Sequence, residues 1–359
     1  MKNKPEWAKC AFGCTLANLI WIGIHPTITN QNIKHIIEIS ELSVFICNGK
    51  SDILEQLKEV LQELPSTSLR YIICLNKPSV IEFPHDIQLI TLTEVETNGN
   101  NIVDGKENSW KPYPAGKKDP ICLVFTSGST GLPKGVIQTR NTWSLYMMRL
   151  ARLNSPTTDC RMLFAPLCHS SSARHTYQSI FRGGRLGFYK ESMNFLFKAL
   201  YHLKPSNLTG TPRFWDFLME DFHKDLQIAL KDKDDSCSEE EIREKVIKDF
   251  KNKVGGKVKY TSVGGALASE AIKKFMEECL GTISGDGFGT TECGPVLTDG
   301  VPALGVTAKL IDIPEFGYFA KDTPSRGELC IKSETLMVCI VLYYFDFFAY
   351  FFKVWLLGR

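Results

Sequence analysis

The chain has 359 residues, 43% of them apolar, and carries 42 Lys and Arg against 40 Asp and Glu. That length suits two or three domains or one large α/β assembly with ample material for a core, and the balanced charge excludes an overall field for nucleic acid or an anionic membrane. Twelve cysteines are scattered from Cys10 to Cys339 with no Cys-x-x-Cys pair, which argues against a zinc site or a disulfide framework and for a reducing, cytoplasmic compartment.

The opening Met-Lys-Asn-Lys-Pro-Glu-Trp lacks the apolar core of a signal peptide. Residues 11–24 are apolar but too few to cross a bilayer, and are expected as a core helix. Thr29 or Asn30 caps a helix with Ile33, Ile36, Ile37 and Leu42 on one face, and Val44–Cys47 follows as a strand. Ser51 opens a second helix, carrying Leu54, Leu57, Leu61 and Leu64, that Pro65 stops. Tyr71–Leu75 and Ile87–Ile90 then read as strands. The alternation implies a parallel sheet with helices on both faces, and residues 98–120 read as a loop.

Ile121–Phe125 is five consecutive apolar residues, a buried strand, ending at Thr126-Ser-Gly-Ser-Thr-Gly131-Leu-Pro-Lys134-Gly135. Four hydroxyls and two glycines in residues 126–131 let backbone N–H and side-chain O–H groups converge on a polyanion with no Cβ in the way. This is a phosphate cradle. It is not the P-loop of kinases and GTPases, because Gly135 stands after Lys134 where that motif needs a magnesium-binding hydroxyl.

Farther on, Asn141–Leu153 looks helical, and Phe181–Phe188 supplies a turn into a strand. Pro212 sits at the first position of a helix, where it sacrifices no hydrogen bond. Ser238 followed by three glutamates starts another helix, whose dense charge is a solvated face. Lys257–Thr261 reads as a strand running into Gly264-Gly265-Ala266, Ser269–Leu280 as a helix, and Thr282–Ser284 as a strand leading to the glycine-rich turn Gly285–Pro295. Gly285-x-Gly287-x-Gly289 has the wrong spacing for a dinucleotide fingerprint, and Gly294-Pro295 breaks the helix that would receive a pyrophosphate.

Residues 126–135 resemble, at all ten positions, the signature loop of the adenylate-forming superfamily, which includes acyl-CoA synthetases, luciferases, peptide-synthetase adenylation domains and carboxylic acid reductases. Gly-Phe288-Gly-Thr-Thr-Glu292 resembles the family's aromatic-Gly-x-Thr-Glu string, with Phe where Tyr is usual. The likeness covers nearly all of residues 5–337. Residues 166–174, 211–216 and 311–320, with Arg326-Gly-Glu-Leu329, look most like the adenylation domains of carboxylic acid reductases, and long-chain acyl-CoA synthetases share the general pattern.

The resemblance implies an α/β fold of two doubly wound parallel-sheet subdomains and the start of a small β-barrel subdomain. Their expected extents are 1–160 with the phosphate loop, 161–300 with the motif at 285–295, and 301–335, followed by an apolar tail at 336–359. It also implies roles. Thr126, Ser127, Gly128, Ser129, Thr130 and Gly131 would cradle the phosphates of ATP, and Lys134 would add a cation. Phe288 would stack on adenine, Thr291 would bond the α-phosphate, and Glu292 would hold magnesium. Asp286, Gly289 and Thr290 belong to the same nucleotide-binding string. Gly264, Gly265 and Ala266 would form the second glycine turn, beside adenine and the acyl pocket, and His169 would border the carboxylate pocket.

The set suits carboxylate activation. A carboxylate and a triphosphate repel each other, so attack at the α-phosphorus needs cations and N–H donors around the charge that develops. The expected products are an acyl adenylate, from a fatty or aryl acid, and pyrophosphate. CoA or a carrier-protein thiol would be the acceptor in the full-length family. A fragment that binds nucleotide without turnover, or a membrane-tethered interaction protein, is the alternative reading.

Two departures stand out. The likeness begins inside the family's first subdomain, so an N-terminal portion is expected to be absent, and after Leu336 the pattern stops, leaving no counterpart of the mobile C-terminal domain with its catalytic lysine. Residues 336–352 are nearly all apolar. About twenty apolar residues can span a bilayer, but Asp346 in the middle costs about 2.5–3.5 kcal/mol there. The tail is therefore expected to be a replaced C-terminus, with membrane association through residues 336–357 as the alternative.

Overall fold

The computed structural model of the chain describes residues 3–78, 81–104, 111–126, 131–152, 159–189, 193–233, 236–282, 284–333, 336, 340–341 and 352–356. In chain order the elements are α1 (Pro5–Leu16), β1 (Trp21–Gly23), α2 (Asn30–Ser40), β2 (Val44–Cys47), α3 (Ser51–Gln62), β3 (Tyr71–Cys74), β4 (Gln88–Thr91), α4 (Leu92–Asp104), β5 (Pro120–Thr126), β6 (Lys134–Thr139) and α5 (Arg140–Arg152). Then come β7 (Cys160–Leu163), α6 (Ser170–Phe181), β8 (Arg185–Phe188), α7 (Leu196–Leu203), β9 (Asn207–Gly210), α8 (Pro212–Lys231), α9 (Glu239–Lys253), β10 (Tyr260–Gly264) and α10 (Glu270–Leu280). The last are β11 (Ser284–Thr290), β12 (Gly294–Thr298), β13 (Val301–Pro302), β14 (Val306–Ile311), β15 (Gly327–Ser333), β16 (Ile340–Val341) and β17 (Phe352–Leu356). Two units form, one from the described residues up to Arg140 with β16, the other from Asn141 to Leu336 with β17.

In the first unit, β2, β3 and β4 form the expected parallel sheet, with Val44 opposite Tyr71 and Tyr71 opposite Gln88. Its core is the leucine face of α3, with Leu54, Leu57 and Leu61 at most 1% exposed, packed with Ile33, Ile37 and Ile72. Thr29 is the residue that caps α2, its Oγ1 accepting from Asn32 N at 3.3 Å. The phosphate-cradle strand, β5, joins a different sheet. There it pairs parallel with β1 and antiparallel with β6, and β16 adds to the far edge of β6.

Two expectations in this unit change. Residues 11–24 are not one helix: α1 stops at Leu16, and Trp21–Gly23 is drawn off as a strand by pairing with β5. Part of the loop expected over 98–120 is helical, because Thr91 and Glu94 form a reciprocal cap. Glu94 N donates to Thr91 Oγ1 at 3.2 Å, and Thr91 N to Glu94 Oε2 at 2.6 Å.

The second unit is built on a seven-stranded sheet in the order β13-β12-β11-β10-β9-β7-β8. The five strands from β11 to β8 run parallel, and β12 and β13 turn back antiparallel. Helices α8, α9 and α10 pack with one another over a core in which the rings of Phe222, Phe250 and Phe275 sit 5.4–5.7 Å apart. Trp215, fully buried, ties α8 to the sheet by donating from Nε1 to Ser262 O at 3.2 Å. The expected start of α9 is a capping box: Ser238 Oγ accepts from Glu241 N, and Glu241 Oε2 accepts from Ser238 N.

Here the glycine-rich stretch after the expected strand 282–284 is itself a strand, β11, extending to Thr290. Likewise the strand expected at 257–261 lies at Tyr260–Gly264. Both shifts have one cause, the pairing of β10 with β11 over Thr261–Gly264 and Ser284–Gly287, which outweighs the weak strand propensity of glycine. A second small sheet, β14-β15-β17, shares a core of Cys293, Val296, Val306, Leu329 and Ile331 with the hairpin strand β12. Within the tail, β16 and β17 are the described elements, both of them strands. Among the described residues no helix is long and apolar enough to cross a membrane.

Candidate active site

In the first unit, the two ends of the cradle lie on paired strands. β5 and β6 pair antiparallel so that Thr126 stands opposite Lys134, which puts a hydroxyl and an ammonium on neighbouring strand ends. Ser127, Gly128, Ser129 and Thr130 lie outside the described residues. Gly131 is exposed and has a φ of +124°. One contact that the sequence did not signal fixes the approach to β6. His35 of α2, largely buried, donates from Nε2 to Pro133 O at 3.0 Å, immediately before Lys134. A carbonyl accepts only, so the proton on that ring nitrogen is set by its partner.

In the second unit, parallel strands place their carboxyl ends along one edge of the sheet, where ligands of open α/β sheets bind. His169 follows β7, Gly264-Gly265-Ala266 closes β10, and β11 carries Asp286, Phe288 and Thr290. His169 is exposed, at the position just before α6. Gly265 has a φ of +85°, a left-handed conformation that L side chains rarely adopt, and together with Ala266 it is exposed.

Alternation along β11 puts Asp286 and Phe288 on one face and Gly285 and Gly287 on the other. The register slips between Phe288 and Gly289, where a Cβ on Gly289 would stand 2.4 Å from Gly294 O. Glycine is thus imposed at Gly289 by the backbone crossing behind it. The slip turns the chain into Thr291 and Glu292, a tight turn closed by Cys293 N donating to Thr290 Oγ1 at 3.1 Å. Thr290 therefore has a structural duty in this turn. Phe288 is half-buried, packed against the core of the small sheet.

Asp286 is the most constrained polar group of the edge. Its Oδ2 accepts from Lys273 Nζ at 2.8 Å and its N donates to Asp299 Oδ1 at 2.8 Å, while its Oδ1 is buried with no hydrogen-bond partner. A buried acceptor without a protein partner at the carboxyl edge of the sheet fits an N–H donor on a ligand. Glu292, half-buried in its turn, is a single carboxylate, and no cluster of three or more metal-binding side chains occurs among the described residues. One carboxylate fits a magnesium ion that takes its remaining ligands from phosphates and water.

A mostly parallel, helix-covered sheet with open glycine turns at its carboxyl edge defines a nucleotide-binding type of α/β protein. The chain belongs to the AMP-binding enzyme family, whose model matches residues 1–341. It is 27% identical over 370 residues to fatty acyl-CoA synthetase A of Dictyostelium discoideum, covering 92% of this chain and 53% of that protein. It is 32% identical over 256 residues to a carboxylic acid reductase of Mycobacterium tuberculosis, covering 67% of this chain and 21% of the reductase. The A-PCP didomain of carboxylic acid reductase from Segniliparus rugosus, solved with AMP, shares the fold at a TM-score of 0.80 and 23% identity, over 95% of this chain and 49% of the other. The chain spans about half the length of that synthetase.

Proposed function

We propose that the protein uses ATP and magnesium to activate a carboxylic acid, fatty or aryl, as an acyl adenylate with release of pyrophosphate, in a cytoplasmic setting. The observation that carries this reading is the carboxyl edge of the second unit's sheet, where Asp286, whose Oδ1 is buried without a protein partner, stands opposite Val263, one residue before the open turn of Gly264, Gly265 and Ala266. In this reading adenine lies on the glycine surface against Phe288, with its amino group on Asp286. Thr291 donates to the α-phosphate, and Glu292 holds magnesium, which supplies Lewis-acid charge at the phosphoryl oxygens. The paired strand ends of Thr126 and Lys134, with Ser127, Gly128, Ser129 and Thr130, supply phosphate donors. His169 borders the carboxylate of the acid, and CoA or a carrier-protein thiol is the acceptor of the acyl group.

Similarity to a reductase at 32% identity supports, as the alternative, an adenylation role within a carboxylic acid reductase rather than in an acyl-CoA synthetase. Both begin with the same half-reaction. The test is pyrophosphate exchange into ATP with fatty and aryl acids in turn, alongside calorimetry with a non-hydrolysable ATP analogue. Exchange that depends on an acid, with binding lost in a Thr291→Ala, Glu292→Ala double variant, is the expected result. Nucleotide binding undiminished in the double variant would overturn the assignment.

A further inference from the structure

Lys273 of α10 and Asp286 of β11 meet with Nζ 2.8 Å from Oδ2. The same ammonium touches Glu270 Oε1 at 3.3 Å, but the Glu270 side chain is 90% exposed, where an ion pair contributes little. Asp286 is different, with a side chain only 14% exposed. Its hydrogen bond is the main cause that raises the Lys273 pKa above the ordinary lysine value, so the ammonium stays charged through the physiological range.

This arrangement makes the two carboxylate oxygens unequal. Oδ2 is taken by the lysine and Oδ1 is left buried and bare. The root of the side chain is fixed as well. Asp286 N donates to Asp299 Oδ1, and Asp286 O accepts from Asp299 N at 3.0 Å. Asp299 and Gly300, with φ of 51° and 76°, form the two-residue turn between β12 and β13, the left-handed geometry that hairpins prefer. A carboxylate clamped at its root and at one oxygen has a single acceptor to offer, in one direction.

We propose that Lys273 is a positioning residue: by holding Asp286 Oδ2 it aims Oδ1 as an acceptor-only reader of the purine 6-position, selecting a 6-amino over a 6-oxo base. The proposal rests on the nucleotide reading above. Because no group of the protein bonds Oδ1, a ligand N–H that reaches it gains a hydrogen bond without breaking one within the protein. A 6-oxo group there sets two acceptors face to face and leaves both unpaired, and sites built around a required hydrogen bond reject such analogues strongly. Lys273 belongs to neither glycine motif and acts only through Asp286.

The test is calorimetric titration of the whole chain with magnesium-ATP and with magnesium-ITP, whose base is 6-oxo. Lys273→Met keeps helix propensity at a partly exposed position and is expected to melt near the parent. It should lose about tenfold in ATP affinity, and its ATP-to-ITP ratio should collapse towards one. Lys273→Arg should restore most of the ratio, and Glu270→Gln should leave it unchanged. Lys273→Gln gives the same comparison if the methionine variant melts early. A parental ratio in Lys273→Met, with the ratio lost in Asp286→Ala, would overturn the positioning role and leave the nucleotide reading standing. Parental affinity and ratio in Asp286→Ala would overturn the nucleotide reading, and this proposal with it.

Discussion

A single methyl group, added at Gly264 or at Gly289, separates binding from folding at the candidate site. At Gly289 the new Cβ would lie 2.4 Å from Gly294 O and 3.1 Å from Pro295 Cα. The first distance is roughly 0.9 Å inside the shortest ordinary C–H···O contacts, about 3.3 Å. The obstacle is backbone, so the bulge after Phe288 must open, and overpacking of this kind costs about 1–3 kcal/mol. At about 2–4 °C per kcal/mol for a unit of this size, Gly289→Ala should melt several degrees early. At Gly264 the nearest atom to a new Cβ is Gly287 O at 3.8 Å, an ordinary contact, and φ is outside the left-handed range. Gly264→Ala should therefore fold as well as the parent or gain a few tenths of a kcal/mol through a stiffer unfolded chain. Its methyl group would stand on the surface assigned to adenine, and ATP affinity should fall at least tenfold, a loss of about 1.4 kcal/mol. Thermal melts and calorimetric titrations of the two variants in parallel make the comparison. Parental ATP affinity in Gly264→Ala would refute the placement of the base on this turn.

Acid should weaken the second unit through His175. Burial, then Arg161 and Arg174, hold its pKa down from 6.5 to about 3. The unfolded chain takes up a proton below pH 6.5 that the folded chain refuses, so stability falls by about 1.4 kcal/mol for each pH unit between 6.5 and 3. Urea melts at pH 7 and pH 5 should show this slope, and His175→Gln should flatten it; an unchanged slope in that variant would assign it elsewhere. Ser238→Ala removes the capping box of α9 and should cost about 0.5–2 kcal/mol without affecting nucleotide binding. Phe222→Ala, at a residue 1% exposed between Phe250 and Phe275, should cost about 3–5 kcal/mol by chemical denaturation. His35→Ala should leave the melt of the second unit unchanged and weaken ATP binding through the freed Pro133 carbonyl beside Lys134; equal affinity would refute a role for that contact.

The local sequence determined much of the framework. Caps at Thr29, Ser238 and Ser269 start helices within a residue of where the pattern sets them, since a cap needs only a side chain and the N–H two or three residues on. The parallel run of β2, β3 and β4 was legible from alternating leucine-faced helices and short apolar strands. The glycine strings at 126–135 and 285–292 carried the likeness to the family whose model matches residues 1–341. Only the tertiary structure decided that Lys134 faces Thr126 across an antiparallel strand pair, that the 285–290 glycines form a strand, and that Trp21–Gly23 leaves the expected helix for a sheet. It alone revealed His35 on Pro133 and Lys273 on Asp286, partners 98 residues apart in one case and on different elements in the other. Strand pairing and such side-chain contacts are fixed by what lies across the sheet, so a strand's ends and a carboxylate's free oxygen are settled by neighbours that no local window of sequence contains.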